Sequence, residues 1–237
     1  MNVLEVQDLS YSYNRSQRAL DGVSLTIESE SIIGLIGPNG SGKSTLIKNV
    51  CDLLSLQDGD LRICGASHSS PAAKRNTLYL ASNDYLPEFL TGYEFIALMA
   101  RLYGVSPSRD EVGAVFRTLS MEGRHEDLVG DYSHRMRKKT QVASAILLRR
   151  PLTIIDETLN GIDLEALYLT DRELLRLRED GKSVLLCTHD FRLIERLADR
   201  VMFLDLGKLI VDERTDAVIE RHGSVEAMVL SHLGTER

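Results

Sequence analysis

The fold can be read from IIGLIGPNGSGKST, residues 32–45. Ile32 to Ile36 are apolar on both faces, as expected of a central strand in a parallel sheet covered by helices. Gly37-Pro38-Asn39-Gly40-Ser41-Gly42-Lys43-Ser44 then matches GxxxxGK[ST], and Thr45 continues into a helix expected over residues 44–54. A phosphate chain calls for strand, glycine loop and helix in that order. Glycines let the backbone curl until successive N–H groups converge, and the helix start adds partial positive charge. In such a loop Lys43 reaches the outer phosphates and Ser44 offers a hydroxyl to Mg²⁺.

On the N-terminal side, Val3 to Tyr13 and the alternating Val23, Leu25 and Ile27 predict antiparallel sheet. On the C-terminal side, Asp58-Gly59-Asp60 reads as a turn into a strand carrying Leu61 and Ile63. From about Pro87 to Arg149 the pattern is helical, with Phe95, Leu98, Met99 and Leu102 at spacings of three and four making one apolar stripe. The α/β alternation resumes with LTII at 152–155, a helix closed by Gly181, the strand SVLLC and a helix from about Asp190. VMFL and KLIV then flank Asp205-Leu206-Gly207 as a hairpin, and the tail from about Asp212 reads as cover for the sheet edge. The fold class is α/β, with an N-terminal antiparallel β subdomain and an inserted α-helical subdomain.

Composition narrows the function. With 43% hydrophobic and 27% charged residues the 237-residue chain is of globular type. Its apolar runs fall short of the ~20 residues a spanning helix needs, and MNVLEVQDLS carries no leader pattern, so the expected location is cytoplasmic. A net charge of −7 argues against a nucleic-acid partner. Cys51, Cys64 and Cys187 have no CxxC pairing and read as reduced thiols.

Leu152-Thr153-Ile154-Ile155-Asp156-Glu157 supplies the acidic half of a nucleotide site, because a carboxylate ending an apolar parallel strand lies beside the phosphate loop. Asp156 organises Mg²⁺, and Glu157, one residue beyond the strand, is placed to take a proton from an attacking water. Taken without the glycine loop, the two acids would serve equally well as caps of the next helix.

In the order of these motifs the chain resembles the nucleotide-binding subunits of ABC (ATP-binding cassette) transporters, over nearly its whole length. The resemblance implies a P-loop NTPase (RecA-like) core at 1–82 and 150–237, a helical subdomain at about 84–149, and a single domain spanning 1–237. It maps Walker A onto Gly37 to Thr45 and Walker B with its catalytic glutamate onto Leu152 to Glu157. Leu159 to Asp163 falls at the D-loop and His189 at the switch histidine that meets the γ-phosphate. Tyr13 stands where the family stacks an aromatic on adenine, although an isolated Tyr in a strand reads equally as packing. ATP and Mg²⁺ are the implied ligands. The implied partners are transmembrane permease subunits and a second ATPase subunit, which place the chain at the inner face of the cell membrane. Leu90 to Gly104 is similar to the helical region of exporter-type cassettes.

At two places the chain departs from the family pattern. Where the family has LSGGQ, this chain has Tyr132-Ser133-His134-Arg135-Met136, keeping the serine and losing both glycines. In the family this segment meets the γ-phosphate of the opposite subunit. Arg135, at a place where φ could be positive, is expected to weaken that contact, or alternatively to act as an arginine finger. The family's Q-loop glutamine, which touches Mg²⁺, aligns with Ser82, beside Asn83. An asymmetric pairing with an ATPase of intact signature, a homodimer with two weak signatures, a non-transport ABC ATPase and a slow ATP-gated regulatory subunit are the readings that remain.

Overall fold

The computed structural model describes residues 1–14, 18–160, 162 and 164–235. β1 (Asn2–Tyr11) pairs antiparallel with β2 (Leu20–Glu28), and the chain then enters β3 (Ile32–Ile36) and α1 (Lys43–Val50). β4 (Asp58–Ile63) and the short β5 (Ala66–Ser67) complete a sheet of order β2-β1-β4-β5. Asp58-Gly59-Asp60 is therefore strand and not turn. Gly59 takes φ 97° at a shift in the β1–β4 register, where a Cβ would meet the Gln7 carbonyl at 2.5 Å.

α2 (Pro71–Asn76) leads into β6 (Thr77–Leu80), and the helical run consists of α3 (Gly92–Leu102), α4 (Arg109–Thr118) and α5 (His134–Leu148). α3 and α4 each open with a reciprocal capping box, Thr91 with Glu94 and Ser108 with Glu111, which satisfies N–H groups that the first turn leaves free. The inward face of α3 is rotated from the expected stripe. Phe95, Ile96 and Ala100 are buried, whereas Leu98 and Leu102 lie on the flank, 46% and 69% exposed.

β7 (Leu152–Asp156), α6 (Leu164–Glu179), β8 (Ser183–Cys187), α7 (Phe191–Leu197), β9 (Arg200–Asp205) and β10 (Lys208–Arg214) follow. They build a sheet of order β10-β9-β3-β8-β7-β6, parallel except for the β9–β10 hairpin. Every position of β3, β7 and β8 is buried, as strands covered on both faces require. Alternate residues of β3 serve two cores. Ile33 and Leu35 pack with α1 and the small sheet, while Ile32 and Ile36 pack with the helices on the far side. The tail does more than cover an edge. α8 (Thr215–His222) lies on β9 and β10, but α9 (Val225–Thr235) packs against α7 through buried Val225, Met228 and Val229.

Candidate nucleotide site

The parallel strands deliver their carboxyl ends to one edge of the sheet, the usual place for a ligand in an α/β fold. The loop after β3, Asp156 at the end of β7 and the residues after β8 meet there, with Asp156 in register with Cys187.

The glycine loop is held from outside. Gly42 takes φ 110° at the start of α1, and a Cβ there would meet the Ala19 carbonyl at 2.5 Å. Gly207, at the tip of the β9–β10 hairpin, donates its N–H to the Ser41 carbonyl at 2.9 Å and accepts from the Asp21 N–H at 2.9 Å. No side chain caps α1, so its leading N–H groups are left for whatever enters the loop. Lys43 is a buried residue, 7% exposed, and its ammonium donates to the carbonyls of Gly37 (2.7 Å) and Pro38 (3.1 Å), folded back onto the loop.

A cavity of about 430 Å³ opens over this loop, within the range typical of small-molecule sites. Asn39, Gly40, Ser41, Gly42, Lys43, Ser44 and Thr45 line it, together with Tyr13 and Glu157. Asn14, Arg18 and Ala19, which no sequence motif marks, complete the wall. Tyr13 is 61% exposed. Its hydroxyl lies 3.2 Å from the Thr45 hydroxyl and its ring stands edge-on to Tyr11, with centroids 5.1 Å apart.

Asp156 is buried beside the loop. Desolvation pushes its carboxyl above the usual range, while hydrogen bonds from Cys187 and Tyr79 and the charge of Lys43 pull it back. The Tyr79 hydroxyl donates to Asp156 Oδ2 at 3.2 Å across 77 positions of sequence, a contact for which the sequence carries no local signal. Glu157 takes φ 54° and donates its N–H to the Cys187 carbonyl. A left-handed backbone at a residue with a Cβ costs ~1–3 kcal/mol and persists only where the surroundings enforce it. Glu157 Oε1 lies 2.9 Å from His189 Nε2, so two candidates 32 positions apart form one pair, of which Glu157 lines the cavity and His189 stands outside its wall.

Three candidates stand elsewhere. Ser133 is the exposed N-cap of α5, its hydroxyl accepting the Met136 N–H at 3.3 Å, and it does not line the cavity. Arg135 belongs to the first turn of α5 and keeps negative φ, so the positive φ and strain expected there are absent: the Ser133 cap starts a right-handed helix. Ser82 is exposed just past β6 and is not part of the cavity wall. Asp163 lies outside the described residues.

The Ser82–Leu90 stretch is stapled to α5. Gln141 Nε2 donates to the Asn83 carbonyl at 2.7 Å, His134 Nδ1 lies 2.5 Å from Asp84 Oδ2, and Arg137 pairs with Glu88 at 2.8 Å. The two departures from the family pattern are thereby physically joined.

For Mg²⁺ the donor set is a hydroxyl, Ser44, and one buried carboxylate, Asp156. Among the described residues no cluster of three His, Cys, Asp or Glu could cage an ion by itself. The Ser44 hydroxyl and the Asp156 carboxylate are donor types that suit Mg²⁺, which is commonly held by one or two carboxylates together with phosphate oxygens and water.

The family model described as ABC transporter matches residues 20–160. The uncharacterized ABC transporter ATP-binding protein YhcH of Bacillus subtilis is 32% identical, over 88% of this chain and 68% of its own length. The ABC-type transporter ATP-binding protein EcsA of the same organism is 31% identical over 96% and 93% of the two chains. A solved ATP-binding subunit of an ABC transporter superposes with a TM-score of 0.88 at 28% identity, covering 97% of this chain and 98% of the other. With the phosphate loop, the buried acid and the Glu157–His189 pair gathered at one sheet edge, the chain belongs to the ABC transporter family as an ATP-binding, ATP-hydrolysing subunit.

Proposed function

We propose that ATP lies along the glycine loop with its adenine against Tyr13, and that Glu157 and His189 carry out hydrolysis. The single observation that supports this most is the 2.9 Å contact between His189 Nε2 and Glu157 Oε1 beside the phosphate loop. A carboxylate held there can accept a proton from water approaching the outer phosphate, and the imidazole fixes its direction. Gly37, Pro38, Asn39, Gly40, Ser41, Gly42 and Thr45 shape the backbone cradle. Lys43 exchanges its carbonyl partners for phosphate oxygens. Ser44 and Asp156 would hold Mg²⁺, which when bound supplies charge neutralisation at the phosphates. Ser82, exposed beyond β6, would join only after its loop moves inward.

Ser133, outside the cavity, acts in this reading on the nucleotide of a second ATPase subunit, as does the D-loop carrying Asp163. The partner is either an identical chain or one with an intact signature. The chain is read as one domain, core 1–82 and 150–237 with a helical part at about 84–149, working at the inner membrane face through permease subunits. No helix among the described residues is long and apolar enough to cross a membrane. Export is the favoured direction, supported by relatives such as the SkfA peptide export ATP-binding protein of Bacillus subtilis.

Glu157→Gln tests the centre of this reading. Phosphate release should fall by ~100-fold or more while nucleotide binding persists. A variant that hydrolyses ATP normally would remove Glu157 from the reaction. Its molar mass with and without Mg-ATP separates the partner readings: a dimer with nucleotide supports self-association, and a nucleotide-bound monomer supports a non-identical partner.

A further inference from the structure

A second cavity, about 220 Å³, lies between the end of α1, α2, β6 and α3, away from the glycine loop. Tyr79, Tyr103, Met99 and Cys51 line it. Two of these are phenols with different partners. Tyr103 donates to the Thr77 carbonyl at 2.8 Å and ends there. Tyr79 also lines the cavity, and its hydroxyl donates to Asp156 Oδ2. β6 and β7 run parallel with Tyr79 opposite Ile154, so the phenol reaches forward along β7 to its last residue. The end of β6 is pinned as well, because the Thr158 hydroxyl donates to the carbonyls of Leu80 and Ala81, each at 3.0 Å.

We propose that Tyr79 is the positioning residue for Asp156: its hydroxyl occupies one carboxylate oxygen and turns the other toward the cation site, linking the cavity at the α2–α3 junction to that site. The proposal rests on the reading that Asp156 serves Mg²⁺. A phenol carries its proton at neutral pH, so the Tyr79 hydroxyl is the donor in this pair. With Cys187 as the other side-chain donor to Asp156, the Tyr79 hydroxyl narrows the directions open to this buried carboxylate before an ion arrives. This link does not use Ser82, which stands exposed outside both cavity walls. Cation handling would then respond to movement of β6 or α3 through the Tyr79 ring.

The experiment follows binding of a fluorescent ATP analogue to the purified chain while Mg²⁺ is titrated. Tyr79→Phe keeps the ring in the cavity wall and removes only the donor. The half-saturating Mg²⁺ concentration should rise about tenfold, with affinity for the metal-free nucleotide unchanged. Tyr103→Phe loses a hydrogen bond to the same strand and should leave the Mg²⁺ curve in place. A shift below about twofold for Tyr79→Phe, beside a large shift for Asp156→Asn, overturns the role of Tyr79 alone. Equal shifts for the two tyrosine variants overturn it too, since they would report loosening of β6. A flat response from Asp156→Asn would bring down the reading of Asp156 and the proposal with it.

Discussion

Two helix starts in this molecule are built in opposite ways. α1 begins at Gly42 with no side-chain cap and lies under a cavity, with Lys43 folded against its own loop. α5 begins at Ser133, whose hydroxyl caps the helix, and its first turn faces solvent with His134 and Arg135 and no acid. Cations at the positive end of a helix dipole are unfavourable by a few tenths of a kcal/mol, unless an anion shares the place. His134 lies beside Asp84, and Arg135 has no ion-pair partner among the described residues. The first start is held by contacts inside the chain and leaves its leading N–H groups uncapped by any side chain. The second is stable by itself and presents unbalanced charge outward.

The comparison is broken most severely at Gly42. Gly42→Ala forces a Cβ into the Ala19 carbonyl at a backbone angle that L-residues rarely adopt, while the Gly207 N–H holds the neighbouring Ser41 carbonyl in place. The expected loss is ~3 kcal/mol of unfolding free energy, by denaturant titration, together with nucleotide binding. Native-like stability and affinity would mean that the loop is not held as tightly as its contacts imply.

A gentler change sharpens the contrast. Ser133→Ala removes the cap and should cost ~1 kcal/mol in the same titration. Binding of nucleotide to the isolated chain should be untouched, since Ser133 is no part of the cavity wall. A large fall in that binding would place Ser133 on the chain's own nucleotide and contradict its assignment to a partner's site.

The two starts also differ in how far they can be read from sequence. The phosphate loop is legible because its chemistry is local: eight consecutive residues, Gly37 to Ser44, set the turn, the lysine and the helix start. Strands β3, β7 and β8 were legible for a similar reason, being short continuous apolar runs. What escaped depends on pairing. Gly207 on Ser41, Tyr79 on Asp156 and Thr158 on Ala81 each join segments far apart in the chain, brought together only by strand order. The α3 stripe misled because Leu98 and Leu102 satisfy a helical period without facing the core, and period alone does not select between an inner face and its flank. At Arg135 the motif position suggested a positive φ, but Ser133, two residues earlier, caps a right-handed helix.

Arg135→Gly gives the smallest and most discriminating effect. The residue is helical and exposed, so glycine should change stability by no more than ~1 kcal/mol. In the chain alone it should leave nucleotide affinity unchanged. In the assembled transporter the two readings of Arg135 diverge. If the side chain keeps the α5 start from closing on a partner's γ-phosphate, its removal raises ATP turnover a few-fold, ~1 kcal/mol in the barrier. If the guanidinium neutralises that phosphate, turnover falls instead, because a cation poised at the positive end of a helix is lost just where negative charge arrives. The outward bulk of an unpaired arginine on an already capped helix favours the rise, and a fall would establish the α5 start as a working part of its partner's site.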